Sequence, residues 1–506
     1  MYKKIALVTV PSHEIERPPA AMAALGGVCR NASIDYEVFD LNLMSFDRLT
    51  RQEYEQCELH WRVDPEIALP LGLIHLYDEV IDTIITNQFD MMAVSVFSKF
   101  STRASRLFLS RWKQRTSIMT VAGGQGLRTV YNHGDFGQFL LAEKLAHHVG
   151  YGDGELIFQN WLQGNFQVAG TDNIPAEQIA DLESLPLPDF SKIDPKKYHY
   201  NRTPGVYVTA SRGCVRSCKF CDVPWRWPKY KYRKGINVAN ELYHHYKNTG
   251  VTTFQFTDSV VNGNLKEFLA MQTRLAELRE SDPGFDVRWL SQFNIRKKKD
   301  MPEIFYSTMR RAGAEVLVCG AEHASWPIRK HMGKEFNNED LDWHIKMCAR
   351  YGIKNVFLMF IGYPTETLDD HKEMIDFLSR YQKYMLSGTI MMIRWGYTGS
   401  MDHGSKLDTR KDIVDIVPEW PDLNPVYLND HDQDWLYGRN WVNLSNPTLT
   451  LRERLRRRLE IQEVSHQLGW PVTRSKEELD ILYIIADQLL GEKKTIPIHV
   501  AEVSDH

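Results

Sequence analysis

Short β-branched runs alternate with helical segments through most of this chain, and this alternation constrains the fold more than any other feature. In the N-terminal part, the predicted strands are 4–10, 36–41, 91–97 and 118–122. Helices are predicted over 20–31 and 103–113. Apolar runs of this length with helices between them are typical of a parallel sheet covered on both faces. We therefore predict an α/β fold that begins with a Rossmann-like parallel sheet domain.

A second series of strands and helices follows a proline-punctuated segment. Its predicted strands are 205–210, 253–257, 287–293, 315–319, 355–361 and 389–394. Such a series predicts a partial (β/α)6 TIM-type barrel, whose active site lies at the C-terminal ends of the strands. A doubly wound open sheet is the alternative at this stage. The predicted domains are 1–165 (Rossmann-like), 166–202 (linker), 203–400 (barrel) and 401–506 (a mainly helical C-terminal cap).

One helix is clear in the C-terminal region. Thr450 and Glu453 form a capping box ahead of leucines at helical spacing, and Gly469 suits the end of the helix. The arginines of this helix lie among glutamates, so we expect them to form a solvated face. They are Arg452, Arg454, Arg456, Arg457 and Arg458.

Composition excludes some classes of protein. The formal net charge is −4, so nothing indicates nucleic-acid binding through bulk positive charge. No apolar run approaches the roughly 18 residues of a membrane span, and the apolar start of the chain is too short for a signal peptide. Seven cysteines in a long chain do not resemble a secreted disulfide scaffold, so we expect a cytoplasmic protein. Cys29, Cys57, Cys319 and Cys348 are scattered and are expected to pack in the core.

The other three cysteines, Cys214, Cys218 and Cys221, lie close together after the first barrel strand. Three thiolates on one loop can converge on a metal centre. A structural zinc usually needs four ligands in two separated pairs, and no second pair is nearby. An iron–sulfur cube has four iron sites, so three cysteines leave one iron with an open coordination position. Zinc and chance proximity are the alternatives.

The spacing Cys214-x-x-x-Cys218-x-x-Cys221, with Phe220 before the third cysteine, resembles the signature of the radical S-adenosylmethionine (SAM) superfamily. The resemblance implies a [4Fe–4S] cluster whose open iron binds SAM and cleaves it reductively to a 5′-deoxyadenosyl radical. It implies a contact between Phe220 and the adenine of SAM. Further cofactor-binding residues follow from similar motifs at later strand ends: Asp258, Arg296, Glu322, Gly362 and Pro364. In this chain His323 stands where the family's G-x-E-S pattern has serine.

The order of a front α/β domain, a linker and a barrel is similar to that of the cobalamin-binding-domain subclass. Strand ends and glycine-rich turns of the front domain carry the similarity, which implies cobalamin as a cofactor. The residues assigned to it are Pro11, Ser12, Ser95, Gly123, Gly124, Gly152 and Glu155. No Asp-x-His-x-x-Gly motif occurs in the chain, so the resemblance offers no histidine ligand for cobalt.

The resemblance therefore implies a radical SAM enzyme, with cobalamin-dependent methylation of an unactivated carbon as the leading reaction. One alternative is a radical SAM enzyme without cobalamin that performs rearrangement, cyclisation or oxidation. The other is a non-catalytic scaffold with a structural metal. An electron donor such as flavodoxin or ferredoxin is the expected partner. The substrate, a small molecule or a peptide, is not specified by any motif.

Overall fold

The computed structural model describes residues 2–11, 15–62, 64–131, 134–172, 178–198, 203–221, 223–386, 390–395, 416–417 and 441–470. The chain divides into two compact units. The first is Met1–Val208 with Glu241–Thr253, and the second is Thr209–Asn240 with Phe254–His506. None of the described helices is long and apolar enough to cross a membrane.

The first unit is built on a parallel sheet with helices between its strands. Its elements are β1 (Lys4–Thr9), α1 (Ala20–Asn31), β2 (Asp35–Asp40), α2 (Leu41–Arg48), α3 (Arg51–Arg62), α4 (Leu71–Thr86), β3 (Met91–Ser95), α5 (Ser101–Lys113), β4 (Met119–Gly123), β5 (Val130–Tyr131), β6 (Gly134–Asp135), α6 (Phe136–Ala142), β7 (His148–Gly150), α7 (Gly154–Leu162) and β8 (Gly205–Val208). The five-stranded sheet has the order β2-β1-β3-β4-β7. This order reverses between β1 and β3, where doubly wound folds bind ligands.

Alternation along the strands places apolar side chains on both faces of this sheet. In β1, Ala6 and Val8 belong to one hydrophobic cluster, while Ile5 and Leu7 belong to another. The linker packs onto α1, because the Asp189 N–H donates to the Ala23 carbonyl at 2.8 Å. A Cβ at Gly27 would lie only 2.2 Å from the Leu187 carbonyl oxygen, so this approach requires glycine.

The second unit contains most of the second sheet. Its elements, with α9 and β11 crossing the boundary, are β9 (Ser211–Arg212), α8 (Val223–Arg226), β10 (Lys231–Tyr232), α9 (Gly235–Thr249), β11 (Thr253–Phe256), α10 (Leu265–Ser281), β12 (Arg288–Phe293), α11 (Glu303–Arg311), β13 (Ala314–Glu322), α12 (Trp326–Met332), α13 (Asn338–Tyr351), β14 (Lys354–Ile361), α14 (Leu368–Tyr381), β15 (Ile390–Trp395), β16 (Ile416–Val417), β17 (Val442–Asn443) and α15 (Leu451–Gln467). The six-stranded sheet has the order β15-β14-β13-β12-β11-β8.

These strands are neighbours in the order in which the chain makes them, and β12 to β15 pair in parallel. Sequential order without reversal is the winding of a partial barrel, so the open doubly wound alternative is wrong. The predicted α/β fold with a Rossmann-like sheet and a partial barrel is confirmed. The prediction omitted α2, α3 and α4. The sequences of α2 and α3 are mixed in polarity, but α4 carries buried apolar residues at helical spacing, among them Leu73, Leu76 and Val80, and this period was a usable signal. Most of the predicted C-terminal cap lies outside the described residues.

The predicted C-terminal helix is present as α15. The expectation of a solvated arginine face is confirmed for Arg452 and Arg456, which are exposed, and is wrong for the other three arginines. Thr450 caps the helix, accepting from the Glu453 N–H at 3.2 Å. Arg454, Arg457 and Arg458 are buried, with relative exposures of 0%, 4% and 1%. Their charges are compatible with burial because carbonyl oxygens and carboxylates of the second unit accept from them. The scattered cysteines, in contrast, are buried as expected.

Candidate active site

The cysteine triplet lies on the loop between β9 and α8, close after the carboxyl end of β8. β9 pairs antiparallel with β10, with Ser211 opposite Tyr232. The two ends of the segment that contains the cysteines are therefore held next to each other. Gly213 turns the chain at φ +84°, where a Cβ would lie 2.9 Å from the Lys229 carbonyl oxygen. Cys214 and Cys221 are half-buried, Cys218 is buried, and none of them forms a disulfide. In the described part of the chain, no three His, Cys, Asp or Glu side chains are arranged to hold a single metal ion.

Asp258, which follows β11, anchors the start of this loop. Its carboxylate accepts from the Ala210 N–H at 2.9 Å and from the Ser211 hydroxyl at 2.5 Å. Burial raises the pKa of Asp258 to about 7, while these donors act in the opposite direction. Both carboxylate oxygens are therefore engaged by the chain itself. The predicted contact with SAM at Asp258 stays a prediction, and the structure adds an anchoring role.

Lys334 brings a positive charge to the cysteine loop. Its Nζ lies 2.8 Å from Glu322 Oε1, and the Lys334 and Glu322 side chains are only 8% and 11% exposed. Burial raises the pKa of the Cys218 thiol, and the Lys334 ammonium acts in the opposite direction. Burial also opposes the charge on Lys334, but Glu322 and Cys218 raise the pKa of Lys334 above its ordinary value. Lys334 is thus a buried cation close to the cysteine loop, since its Nζ lies 5.8 Å from the centre of the Phe220 ring.

Glu322, assigned to SAM from the G-x-E-S resemblance, ends β13 in a strained conformation. Its φ is +63°, unusual for any residue other than glycine, and the strand register shifts between Gly320 and Glu322. A Cβ at Gly320 would lie 2.5 Å from Glu322 Oε1 and 2.9 Å from Lys334 Nζ. A side chain at 320 would therefore force the ends of Glu322 and Lys334 to shift from their present pairing. Strain of this kind is concentrated at functional sites, which supports a role for the pair.

Arg296 and two asparagines connect the loops after β11 and β12. Arg296 Nη2 donates to the Asn262 and Gly263 carbonyls at 2.8 and 2.6 Å, whereas its buried Nε has no hydrogen-bond partner among the described residues. Asn262 and Asn294 bond to each other reciprocally at 2.8 and 2.9 Å. Asn294 Nδ2 then lies 4.0 Å from Cys214 Sγ. The structure therefore brings the Asn294 amide to the cysteine loop.

Phe220 and the turn after β14 are close together. Phe220 packs against a cluster of Ile328, Met332, Phe360 and Tyr363, and Tyr363 follows Gly362 in that turn. Phe220, Gly362 and Pro364 were assigned to SAM from separate motifs, and the fold brings these motifs to one side of the barrel mouth. Their contacts with SAM remain predictions.

His323, which replaces the usual serine, contacts the same turn. Its Nδ1 accepts from the Ser325 N–H at 2.9 Å, so its proton is on Nε2. That Nε2 lies 3.4 Å from Glu366 Oε2, and both side chains are fully buried. The side chain at position 323 therefore makes internal contacts with Ser325 and Glu366 and is not exposed at the surface.

The described residues among those assigned to cobalamin lie at the carboxyl edge of the first sheet. Ser95 and Gly123 end β3 and β4 and are paired in register, and Glu155 is in the first turn of α7. Gly124 and Gly152 both have φ +112°, and Pro11 is buried after β1. Ser12 lies outside the described residues.

Space is open at two glycines of this edge. A Cβ at Gly123 would meet only the Gly150 carbonyl oxygen, at 3.9 Å, and a Cβ at Gly154 would meet nothing within 4 Å. Phe97, just beyond β3, is 61% exposed. The edge thus has room for a ligand to approach the backbone closely.

Sequence reasoning missed Lys334, Asn294 and Arg457. Lys334 follows Gly333, which ends α12 at φ +91°, and the short α12 was itself not predicted. Asn294 directly follows a predicted strand, and this position was a usable signal. Arg457 looked like its exposed neighbours, because linear sequence does not show which face of α15 is covered.

Known proteins resemble this chain in sequence and in fold. Residues 208–378 match the family model of the radical SAM superfamily. An uncharacterized methyltransferase of Pyrococcus horikoshii is 23% identical over 210 residues, which are 41% of this chain and 43% of the relative. This chain therefore matches less than half the length of that curated relative.

Two solved structures share the fold over most of this chain. The radical S-adenosylmethionine methyltransferase TsrM from Kitasatospora setae, solved with cobalamin and a [4Fe–4S] cluster, has a TM-score of 0.57 at 17% identity, covering 78% of this chain and 75% of that chain. OxsB, a cobalamin-dependent S-adenosylmethionine radical enzyme solved with aqua-cobalamin, has a TM-score of 0.56 at 14% identity, covering 94% of this chain and 63% of that chain. On the family match and on this fold, residues 208–378 form a domain of the radical SAM superfamily.

Proposed function

We propose that this chain is a radical SAM enzyme that methylates an unactivated carbon with the help of cobalamin. The observation that carries the proposal is the cysteine loop, which lies at the mouth of a partial barrel inside the radical SAM domain. In this proposal Cys214, Cys218 and Cys221 bind three irons of a [4Fe–4S] cluster. When bound, the cluster leaves one iron open to SAM and supplies the electron that cleaves its sulfonium C–S bond to methionine and a 5′-deoxyadenosyl radical.

The donor set fits such a cluster. A cube-shaped cluster binds each cysteine through a different iron, so its ligands need not converge on one point. The buried Lys334 ammonium balances the negative charge of thiolates. Asp258 fixes the start of the loop, and Asn294 approaches Cys214 from the β12 side. Phe220 and the turn containing Gly362 and Pro364 are proposed to bind the adenosyl part of SAM, with Arg296 and Glu322 nearer the methionine part.

Cobalamin is proposed to bind at the carboxyl edge of the first sheet, within the proposed domain 1–165. The open space at Gly123 and Gly154 fits a large ligand that approaches the backbone. Methylcobalamin, when bound, supplies the methyl group. The relatives' names support methyl transfer, and the proposed barrel domain covers 203–400, between the linker at 166–202 and the cap at 401–506. We also propose a flavodoxin-like or ferredoxin-like electron donor and a reducing cytoplasmic location.

Anaerobic reconstitution with iron and sulfide tests the cluster. We expect a brown protein that binds about four irons, and that produces 5′-deoxyadenosine from SAM when it is reduced. Cys218→Ala should abolish both properties, whereas Cys29→Ala, a buried cysteine of the first unit, should preserve them. A colourless wild-type protein, or cleavage of SAM by Cys218→Ala, would refute the proposal.

Supplementing the same preparation with hydroxocobalamin separates the two radical functions. Retained corrinoid and a methylated product support the cobalamin-dependent reaction. Radical formation from SAM without corrinoid retention would instead favour rearrangement, cyclisation or oxidation. A structural-metal scaffold predicts no SAM cleavage in any of these samples.

A further inference from the structure

The turn Gly362–Glu366 is held from outside the radical SAM domain. Glu366 is fully buried, and its Oε2 accepts from the N–H of Gly362 at 2.6 Å and of Tyr363 at 3.3 Å. Its Oε1 accepts from Arg457 Nη1 of α15 at 2.8 Å. Burial opposes ionisation, but His323 and Arg457 lower the pKa of Glu366 to about 2. One carboxylate thus joins the backbone of the turn to a helix that begins at Leu451.

The same C-terminal segment also bonds to the carbonyl groups of the turn. Asn443 Nδ2 donates to the Pro364 carbonyl at 2.9 Å, and Asn446 Nδ2 donates to the Glu366 carbonyl at 3.0 Å. Arg457 Nη1 also lies 3.1 Å from the Thr367 carbonyl oxygen. Donors from 443–457 therefore satisfy buried polar groups of the turn that would be costly to leave without partners.

Gly362 adds a steric contact to these polar ones. Its φ is +73°, and a Cβ at this position would lie 2.6 Å from Cγ and Cδ of Arg454. The Arg454 guanidinium is itself fixed 3.8 Å from the centre of the Trp441 ring and donates to the Trp441 carbonyl at 2.8 Å. Arg454 and Arg457, one turn of helix apart, thus contact the two ends of the turn.

Buried ion pairs contribute little net stability, since apolar residues would pack as well. In this case, the pair between Glu366 and Arg457 fixes the backbone geometry of the turn. This turn follows β14 at the barrel mouth, contains the proposed SAM-binding residues Gly362 and Pro364, and adjoins Phe220 through Tyr363.

We propose that α15 and the segment before it are a positioning element for SAM binding: Arg457, Asn443 and Asn446 hold the turn Gly362–Glu366 in the shape that receives the adenosyl group. The inference rests on the proposed function. Arg457 is a positioning residue, because it acts through Glu366 and does not contact SAM.

The test compares variants of the full-length, reconstituted protein. Arg457→Lys keeps the charge but loses the planar guanidinium, whose Nη1 donates to both the Glu366 carboxylate and the Thr367 carbonyl. Asn446→Ala is a milder second variant, because its side chain is only half-buried. Glu460→Gln is the matched control: it weakens a 2.9 Å pair between α15 and His371 of α14, away from the turn.

Equilibrium dialysis with labelled SAM and hydrogen exchange at the amides of 362–366 provide the readouts. We expect Arg457→Lys to weaken SAM binding at least five-fold and to speed exchange of the Gly362 amide, at unchanged iron content. Asn446→Ala should weaken SAM binding two- to five-fold, and Glu460→Gln should remain within two-fold of wild type.

Two results would overturn the inference. One is wild-type SAM affinity in Asn446→Ala and Arg457→Lys, including the case in which amide exchange of the turn has accelerated. The other is an equal loss of affinity in Glu460→Gln, which would indicate general loosening of α15. Failure of the wild-type protein to bind SAM at all would refute the proposed function itself, so the two failures are distinguishable.

Discussion

Lys334 shows how one buried charge connects strand geometry to the cysteine loop. The strained backbone of Glu322 aims its carboxylate at Lys334, and the missing side chain of Gly320 leaves the space. The pair places an ammonium beside Cys218 in a part of the fold that excludes most water. Because both partners are side chains of this chain, the interaction energy of the Lys334–Glu322 pair can be measured without any cofactor.

We expect Lys334→Met to destabilise the apo-protein by about 3 kcal/mol, because it leaves the Glu322 carboxylate buried without its cation. The double variant Lys334→Met with Glu322→Gln should recover about half of that loss. Urea unfolding of the two single variants and the double variant measures the coupling. The exposed Lys330→Met is the control and should change the free energy of unfolding by less than about 0.5 kcal/mol. Additive single effects would contradict a direct Lys334–Glu322 interaction.

His344 is a second residue whose burial has a measurable consequence. Its ring lies among Tyr306, Cys319 and Asn355, with Nδ1 3.1 Å from the Tyr306 hydroxyl. Burial lowers the pKa of His344 from 6.5 to about 4. Between these values the unfolded chain binds a proton and the folded protein does not. The free energy of unfolding should therefore fall as the pH drops from 6.5 to 4.

The loss attributable to His344 over this range is about 3 kcal/mol. His344→Gln should remove this part of the acid dependence, although it lowers stability at neutral pH. Urea unfolding from pH 4 to pH 7 measures both slopes. His75→Gln, at an exposed position of α4, should preserve the wild-type slope. An unchanged slope in His344→Gln would contradict a neutral buried histidine.

At the scale of elements, the sequence predicts the positions of strands and helices that have a regular apolar period. It does not predict the burial of polar side chains whose partners are distant in the chain. Strands such as β14 are continuous apolar runs, and their positions were predicted to within a few residues. The cysteine loop was found because its three ligands are close in sequence. The arginines of α15 were assigned to the surface. Arg457 pairs with Glu366, which is almost a hundred residues earlier in the chain, and no local sequence pattern indicates this pairing. Lys334 was missed for another reason: its partner Glu322 is only 12 residues earlier, but the short helix α12 between them was not predicted.

The turn after β14 gives a prediction at this scale. Gly362→Ala should destabilise the protein by about 3 kcal/mol, because it combines a positive φ with a clash against Arg454. Gly352→Ala is the matched control: φ at Gly352 is +66°, but a Cβ would meet nothing within 4 Å. It should cost about 1 kcal/mol from backbone strain alone. Thermal unfolding compares the two variants, and equal losses would show that contact with Arg454 is unimportant.

At the scale of the whole molecule, the two proposed cofactors belong to different units. The cysteine loop, Lys334 and the turn after β14 all lie in the second unit, whereas Ser95, Gly123 and Gly154 lie in the first. Each unit has its own core. Loading of one cofactor should therefore be separable from loading of the other by a single substitution.

Gly123→Leu provides this separation. The residue ends β4 with open space where its Cβ would lie, so the larger side chain fits the strand and fills the space proposed for cobalamin. We expect retention of corrinoid after desalting to fall at least ten-fold, while iron content and reductive cleavage of SAM remain at wild-type levels. Ala142→Leu, at the exposed end of α6, is the control for an added side chain in the same unit and should retain corrinoid. Full corrinoid retention by Gly123→Leu would place the corrinoid elsewhere, and loss of iron with the corrinoid would show that the two loadings are coupled.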